Sequence, residues 1–278
     1  MLLFPEGRTK ALTFSYDDGV QQDKRLVELL DQHGMKGTFN LNSGCFSEEG
    51  TVFQPGKVHR RMTEKEIVDL FGNGRHEVAV HTLTHPYLQT LPTAAVVDEV
   101  LQDRKNLEKL FGGVIRGMAY PYGTCAATES VVSVLKACGI AYARTTVSTE
   151  KFDLPTDWLR LPATAHHKNP RLMELAQKFV EAEPNDNAKL FYLWGHTYEF
   201  ERDDNWNVME AFLDYMAGRE DAIWYATNIE ICDYVRDFGR LEWSADFHAV
   251  HNPTATGLWF YANGKTCFIG AGETVGVE

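Results

Sequence analysis

Basic residues, cysteines and long apolar stretches are all scarce in this chain, and each scarcity removes a class of function. Against 39 aspartates and glutamates stand 27 lysines and arginines, a formal net charge of −12 over 278 residues. Such a balance repels phosphate backbones and anionic headgroups, which argues against nucleic acid or an anionic membrane surface as partner and against strongly anionic polymers as substrates. The five cysteines, Cys45, Cys125, Cys138, Cys232 and Cys267, are odd in number, scattered, and without Cys-x-x-Cys spacing. They read as reduced, mostly structural thiols rather than a disulfide framework. The longest stretch free of Asp, Glu, Lys and Arg, 78–97, carries two histidines and two prolines and suits a bilayer poorly. The opening Met1-Leu2-Leu3-Phe4-Pro5-Glu6-Gly7-Arg8 lacks a basic start, and its apolar part stops after four residues. No secretory leader is read there, so the expected location is cytoplasmic.

What is present is an ordinary globular composition, 44% hydrophobic and 24% charged, long enough to bury a substantial core. From residue 10 to about 238, short apolar runs alternate with helical patterns, the signature of βα units around a parallel sheet. Strands are expected at 11–16, 37–41, 77–81, 117–120, 142–145, 159–163, 190–194 and 223–226, and helices at 21–33, 63–72, 93–111, 128–138, 170–181, 207–217 and 229–238. Thr63-Glu64-Lys65-Glu66 matches a capping box, Gly34 and Gly139 follow helix ends, and Pro170 suits a first helical turn. Seven or eight such units give an α/β fold with a closed or nearly closed barrel over residues 1–240. Beyond residue 240 the helical pattern stops. Candidate strands at 257–261 and 266–269 make 241–278 a small β appendage, too short for its own core and expected to pack on the barrel or on a neighbouring subunit.

The chemistry-bearing residues gather at expected strand ends. Asp17-Asp18-Gly19 closes the first strand and His81-Thr82-Leu83-Thr84-His85 the third, while Tyr122 follows the fourth and His196 the seventh. In α/β barrels that face builds the active site. Occurrence alone carries little: ten histidines in 278 residues give roughly 0.4 His-x-x-x-His pairs by chance, and a second Asp-Asp, Asp203-Asp204, lies in a polar stretch. Placement carries the signal. One carboxylate and two imidazoles can hold a divalent metal facially with positions left open, and the other aspartate is then free to act as base. Adjacent strand residues point to opposite faces, so both carboxylates can serve one site only where the strand ends and Gly19 permits a turn. His166-His167 after the sixth strand lies on the same rim and makes His166 a candidate substrate contact, whereas 199–204 reads as a solvated loop.

Ser15-Tyr16-Asp17-Asp18-Gly19, His81-Thr82-Leu83-Thr84-His85, Tyr120-Pro121-Tyr122-Gly123, Asp157-Trp158 and Leu193-Trp194-Gly195-His196 resemble, in order, the five motifs of the NodB-homology polysaccharide deacetylases, carbohydrate esterase family 4. The resemblance runs from residue 10 to about 238 and implies a deformed (β/α) barrel of seven or eight units and metal-dependent removal of an N-acyl group, usually acetyl, from an amino sugar or small oligosaccharide. By position it implies Asp18, His81 and His85 as ligands of zinc or of cobalt, nickel or manganese, Asp17 as base and His196 as acid. It further implies the Tyr122 backbone N–H at the oxyanion, Asp157 orienting His196, and Trp158 as a wall of the substrate groove beside Tyr122. The chain departs from the family at Ala119, where an arginine usually steadies the base, leaving Arg116, Arg144 or Arg160 to replace it in space; Asp153 and Asp157 are also four apart where the family has three. Two other readings stay open: a hydrolase of a non-sugar amide such as a cyclic ureide, and a barrel that binds glycans without turning them over. A second copy of the chain is admitted as a partner.

Overall fold

A computed structural model describes residues 1–183 and 187–277. In chain order its elements are β1 (Leu2–Leu3), β2 (Lys10–Asp17), α1 (Asp23–Gln32), β3 (Thr38–Leu41), α2 (Glu64–Phe71), β4 (Glu77–Val80), α3 (Thr93–Phe111), β5 (Gly117–Ala119), α4 (Glu129–Ala137), β6 (Tyr142–Ser148), β7 (Leu161–Ala163), β8 (Ala165–His166), α5 (Leu172–Glu181), β9 (Lys189–Gly195), α6 (Tyr198–Arg202), α7 (Trp206–Met216), β10 (Ile223–Tyr225) and α8 (Asn228–Phe238). Strands β2 to β10 form one parallel sheet in the order β7-β6-β5-β4-β3-β2-β9-β8, with β10 on the first half of β2 and β3 on its second half. The two ends of that order, β7 and β8, are consecutive pieces of a single run. Residues 161–166 therefore bond to β6 on one flank and to β9 on the other, with the Thr164 N–H donating to Tyr192 O at 2.9 Å between them. The result is the expected deformed barrel.

Strand β2 shows why the sequence folds this way. All eight of its residues are buried, because both faces are covered. Leu12, Phe14 and Tyr16 join a core shared with α1, α3, α4, α5 and α7, while Ala11, Thr13, Ser15 and Asp17 face the barrel interior. Beneath the strand ends that interior is plugged by the start of α8. Thr13 Oγ1 donates to Asn228 Oδ1 at 2.7 Å, the Asn228 amide donates to Tyr192 Oη at 2.7 Å, and the Ile229 N–H donates to Glu77 at 2.9 Å. The start of α8 thus fills the interior below, and the site lies at the strand C-termini.

Two local expectations change. The strand expected at 159–163 begins at Leu161, because Asp157 accepts the Leu159 N–H at 3.0 Å and caps a tight turn over Trp158–Arg160. The stretch expected as a solvated loop at 199–204 overlaps α6, and Glu199 within it is only 9% exposed. The appendage comprises β11 (Glu242–Trp243), β12 (Ala249–His251), β13 (Leu258–Ala262), β14 (Lys265–Ile269) and β15 (Thr274–Gly276). β13 and β14 are a hairpin whose turn residues Asn263 and Gly264 both have positive φ, the conformation this pair favours. β1 adds to β13, so the first residues of the chain belong with the appendage sheet. Leu258, Phe260 and Ile269 share one buried cluster with Ala11, Leu190, Ile231 and Tyr234, which packs the appendage on the chain's own barrel.

Candidate active site

The backbone bends sharply where the side chains must converge. Asp17 ends β2, Asp18 has φ 89° and Gly19 φ 65°, and this turn brings both carboxylates to the barrel mouth. Thr82, His85 and Tyr122 also have positive φ, at 67°, 59° and 56°. Left-handed backbone at residues with a Cβ costs on the order of 1–2 kcal/mol each, so strain is concentrated at the rim.

Asp18 and the histidine pair face one another across that mouth. His81 Nε2 and His85 Nε2 each lie 4.0 Å from Asp18 Oδ1, too far for hydrogen bonds and wide enough for a cation between them. His81 is 1% exposed; its Nδ1 lies 2.8 Å from Ala119 O, which sets Nδ1 as the donor, and its Nε2 is buried without a hydrogen-bond partner. The three residues form a group able to hold a metal ion. Burial lowers the His81 pKa to about 4, so the imidazole is neutral, as a ligand must be. Behind it, Asp103 accepts the Ser43 N–H at 2.7 Å and the His81 N–H at 3.1 Å, and burial pushes its carboxyl up to about 7. Burial acts to raise the Asp18 carboxyl too, but His59 and Arg61 overcome it and hold the group far below its usual range. His59 Nε2 lies 3.1 Å from Asp18 Oδ2, and Arg61 donates to Oδ1 at 2.8 Å and to Asn42 Oδ1 at 2.7 Å.

Asp17 is enclosed by the residue that the sequence left undecided. Arg144, 1% exposed, donates to Asp17 Oδ2, reaches Ser15 Oγ at 3.2 Å, and stacks 4.3 Å over the Trp194 ring. Asn40 donates to Asp17 Oδ1 at 2.8 Å. Of the other two candidates, Arg116 pairs with Asp233 and Arg160 with Glu129 and Asp157, away from the site. Arg144 is the register partner of Ala119 on the neighbouring strand, so the guanidinium enters the barrel one strand over from the position where the family carries it. Burial works to raise the Asp17 pKa, but Arg144, His81 and His196 outweigh it and the carboxyl is held below its ordinary value.

His196 follows β9, with Nε2 3.7 Å from Asp17 Oδ2 and Nδ1 3.6 Å from Glu199 Oε2. Its neighbour Thr197 is tied to the buried Asp23 at 2.6 Å, which anchors this turn to α1. Burial acts to lower the His196 pKa, but Glu199, Asp17 and Asp18 raise it overall. The carboxylate against His196 is therefore Glu199 and not Asp157, which is exposed, caps the Leu159 N–H and pairs with Arg160 at 3.0 Å. The same turn leaves Trp158 half-buried beside a small cavity inside the barrel that Thr13, Leu161, Tyr192 and Ile231 also line. His166 faces Glu199 at 3.1 Å rather than open solvent. Tyr122 is 47% exposed, stacks on Tyr87 at 3.7 Å and stands 4.6 Å edge-on from His85, and its backbone N–H has no acceptor among the described residues.

Of the residues expected from sequence, the structure brings together Asp17, Asp18, His81, His85, Tyr122 and His196, adds His166 at the edge, and leaves out Asp157 and Trp158. Glu199 had a local signal, since three residues after His196 a helical turn puts both on one face. His59 and Arg61 had none, because they lie in irregular chain between β3 and α2.

A sequence profile for polysaccharide deacetylases matches residues 5–143, half of the chain and three of the strand ends just described, those of β2, β4 and β5. The chain belongs to the polysaccharide deacetylase family. Among curated relatives, a chitooligosaccharide deacetylase of Bradyrhizobium sp. (strain ANU 289) is 28% identical over 155 residues, covering 55% of this chain and 60% of that protein. A chitin deacetylase of Pestalotiopsis sp is 33% identical over 115 residues, 41% of this chain and 34% of that protein. The chain thus spans less than two thirds of the length of either relative. A Mycobacterium smegmatis crystal structure assigned as a polysaccharide deacetylase shares the fold, with a TM-score of 0.60 at 16% identity over 85% of this chain and 93% of that one. Among the described residues of this family member, no helix is long and apolar enough to cross a membrane.

Proposed function

We propose that this polysaccharide deacetylase family member is a metal-dependent amide hydrolase that removes an N-acyl group, acetyl in the first instance, from an amino sugar or a small oligosaccharide. The observation that carries the reading is Asp17, a buried carboxylate kept ionised by Arg144 and Asn40 and flanked by His196 Nε2 at 3.7 Å and His81 Nε2 at 3.9 Å. Asp18, His81 and His85 suit a divalent ion of the zinc type, because the buried His81 Nε2 lacks a partner and its tautomer is already set for ligation. Such an ion supplies Lewis acidity toward the amide carbonyl and toward water. Asp17, adjacent in sequence, takes the proton from the attacking water as general base. The Tyr122 N–H, without an acceptor among the described residues, donates to the carbonyl oxygen as negative charge grows there. His196 passes its Nε2 proton to the nitrogen as the C–N bond breaks, so the products are a carboxylate and a free amine. The printed activities of the two curated relatives, on chitooligosaccharide and chitin, support an N-acetylated amino sugar as the class to try first.

The test is acetate release from N-acetylglucosamine derivatives and short chito-oligosaccharides by the full chain, with bound metal quantified alongside. Asp17→Asn is expected to abolish release while the metal stays bound; unchanged turnover, or loss of the metal, would remove Asp17 from the role of base. Activity that survives complete chelation would instead favour a metal-independent hydrolase of a non-sugar amide, with Arg61 on Asp18 as the standing positive charge.

A further inference from the structure

Three imidazoles surround one carboxylate oxygen behind the reacting groups. Glu199 Oε2 lies 3.1 Å from His166 Nε2, 3.3 Å from His167 Nε2 and 3.6 Å from His196 Nδ1. The other oxygen, Oε1, takes Arg202 at 3.2 Å, and Lys168 is 3.8 Å away. His196 Nδ1 and Glu199 Oε2 are buried without a hydrogen-bond partner, as are both ring nitrogens of His167; His196 Nδ1 is a donor in need of an acceptor and Oε2 an acceptor in need of a donor. A small rotation unites them, the kind of tightening that catalytic hydrogen bonds undergo when substrate arrives.

The His166–His196–Glu199 group also has the spacing of a metal site. Its proton arrangement argues otherwise. The Lys168 N–H donates to His166 Nδ1 at 3.1 Å, so in neutral His166 the proton sits on Nε2, where a metal would need a lone pair. Arg202 and Lys168 add positive charge at the same carboxylate. His167 enters because Gly195 has no side chain: a Cβ there would fall 2.1 Å from His167 Nδ1. His167 is 2% exposed and stacks between Tyr16 at 5.8 Å and Phe200 at 4.1 Å, a built wall behind Glu199.

We propose that Glu199 is the positioning residue for His196, accepting the Nδ1 proton so that Nε2 faces Asp17, and that His166, His167 and Arg202 hold Glu199 for this task. The inference rests on His196 as proton donor in the proposed hydrolysis. It also gives His166 a supporting role in place of the substrate contact expected from sequence.

The experiment compares two leaving groups with the full-length protein. Expulsion of an amine from an N-acetylated chito-oligosaccharide needs a proton, whereas expulsion of 4-nitrophenolate from 4-nitrophenyl acetate does not. For Glu199→Gln, kcat on the amide is expected to fall about 10²-fold or more at unchanged KM, while the aryl ester rate stays within about threefold of wild type. Equal loss on both substrates, or loss on neither, overturns the proposal. Nitrogen-edited NMR of the imidazoles reads positioning without turnover and separates this inference from the hydrolytic reading. A His196 Nδ1 proton in slow exchange with water is expected in wild type and absent in Glu199→Ala; an unchanged signal overturns the proposal even if amide hydrolysis is found. Loss of a bound-metal equivalent from Glu199→Gln that Asp18→Asn retains would make the cluster an ion site and also overturn it.

Discussion

Replacing Arg144 by methionine keeps much of its stem over Trp194 but leaves Asp17 buried, 3% exposed, without its guanidinium. Removing one partner of a buried ion pair costs about 3–5 kcal/mol, because the remaining charge has neither counterion nor water. The sign with pH follows from Asp17. Its folded pKa is depressed below 3.8, so in wild type the pair contributes stability that is present above that value and lost as pH falls through the folded pKa. In Arg144→Met the burial remains and the largest opposing charge is gone, so the folded pKa rises. The difference between the two proteins is therefore widest near neutral pH and narrows as pH is lowered, because a protonated Asp17 no longer needs a counter-charge. Urea unfolding followed by tryptophan fluorescence, run near pH 7 and again near pH 4, measures both ends. Arg144→Lys, which restores the charge but cannot also reach Ser15 in the same geometry, is expected in between. A stability loss of equal size at both pH values would refute the electrostatic reasoning and assign Arg144 to packing alone.

Arg61→Gln removes the guanidinium that orients Asp18 and is expected to weaken metal binding about 10–100-fold by isothermal titration; unaltered affinity would mean Arg61 does not shape the site. Asp103→Asn offers one acceptor oxygen where two N–H groups now bond, and one buried donor left unpaired is expected to cost about 1–3 kcal/mol in chemical denaturation. Thr63→Ala breaks the capping box of α2 and should destabilise the protein by about 1 kcal/mol with little effect on turnover, a control for unfolding unconnected with the site.

Local pattern carried the sequence reading a long way. The helix expected at 93–111 is the observed α3, and the others fall within two residues of expectation, because a buried stripe at helical spacing and a cap are both encoded by neighbours in the chain. The Asn263-Gly264 turn and the Asp17-Asp18-Gly19 strand end were legible for the same reason: few residues other than Gly and Asn adopt such backbone readily. Strand ends in a parallel barrel share one face, so Asp17, Asp18, His81, His85, Tyr122 and His196 could be assembled without coordinates.

Tertiary structure alone decided which partner each of these residues has. Arg144 lies 127 residues from Asp17 and reaches it only because of strand register across the barrel, which no local spacing encodes. Trp158 was expected in the groove, and a capped turn leaves it beside a cavity inside the barrel instead. Glu199 had a local link to His196 three residues before it, but His166 and His167 reach it from a segment 30 residues away, with Gly195 leaving the room. Chain-local chemistry determined which residues stand at the mouth of the barrel; packing across it determined what each carboxylate meets there, Arg144 at Asp17, His59 and Arg61 at Asp18, and three imidazoles at Glu199.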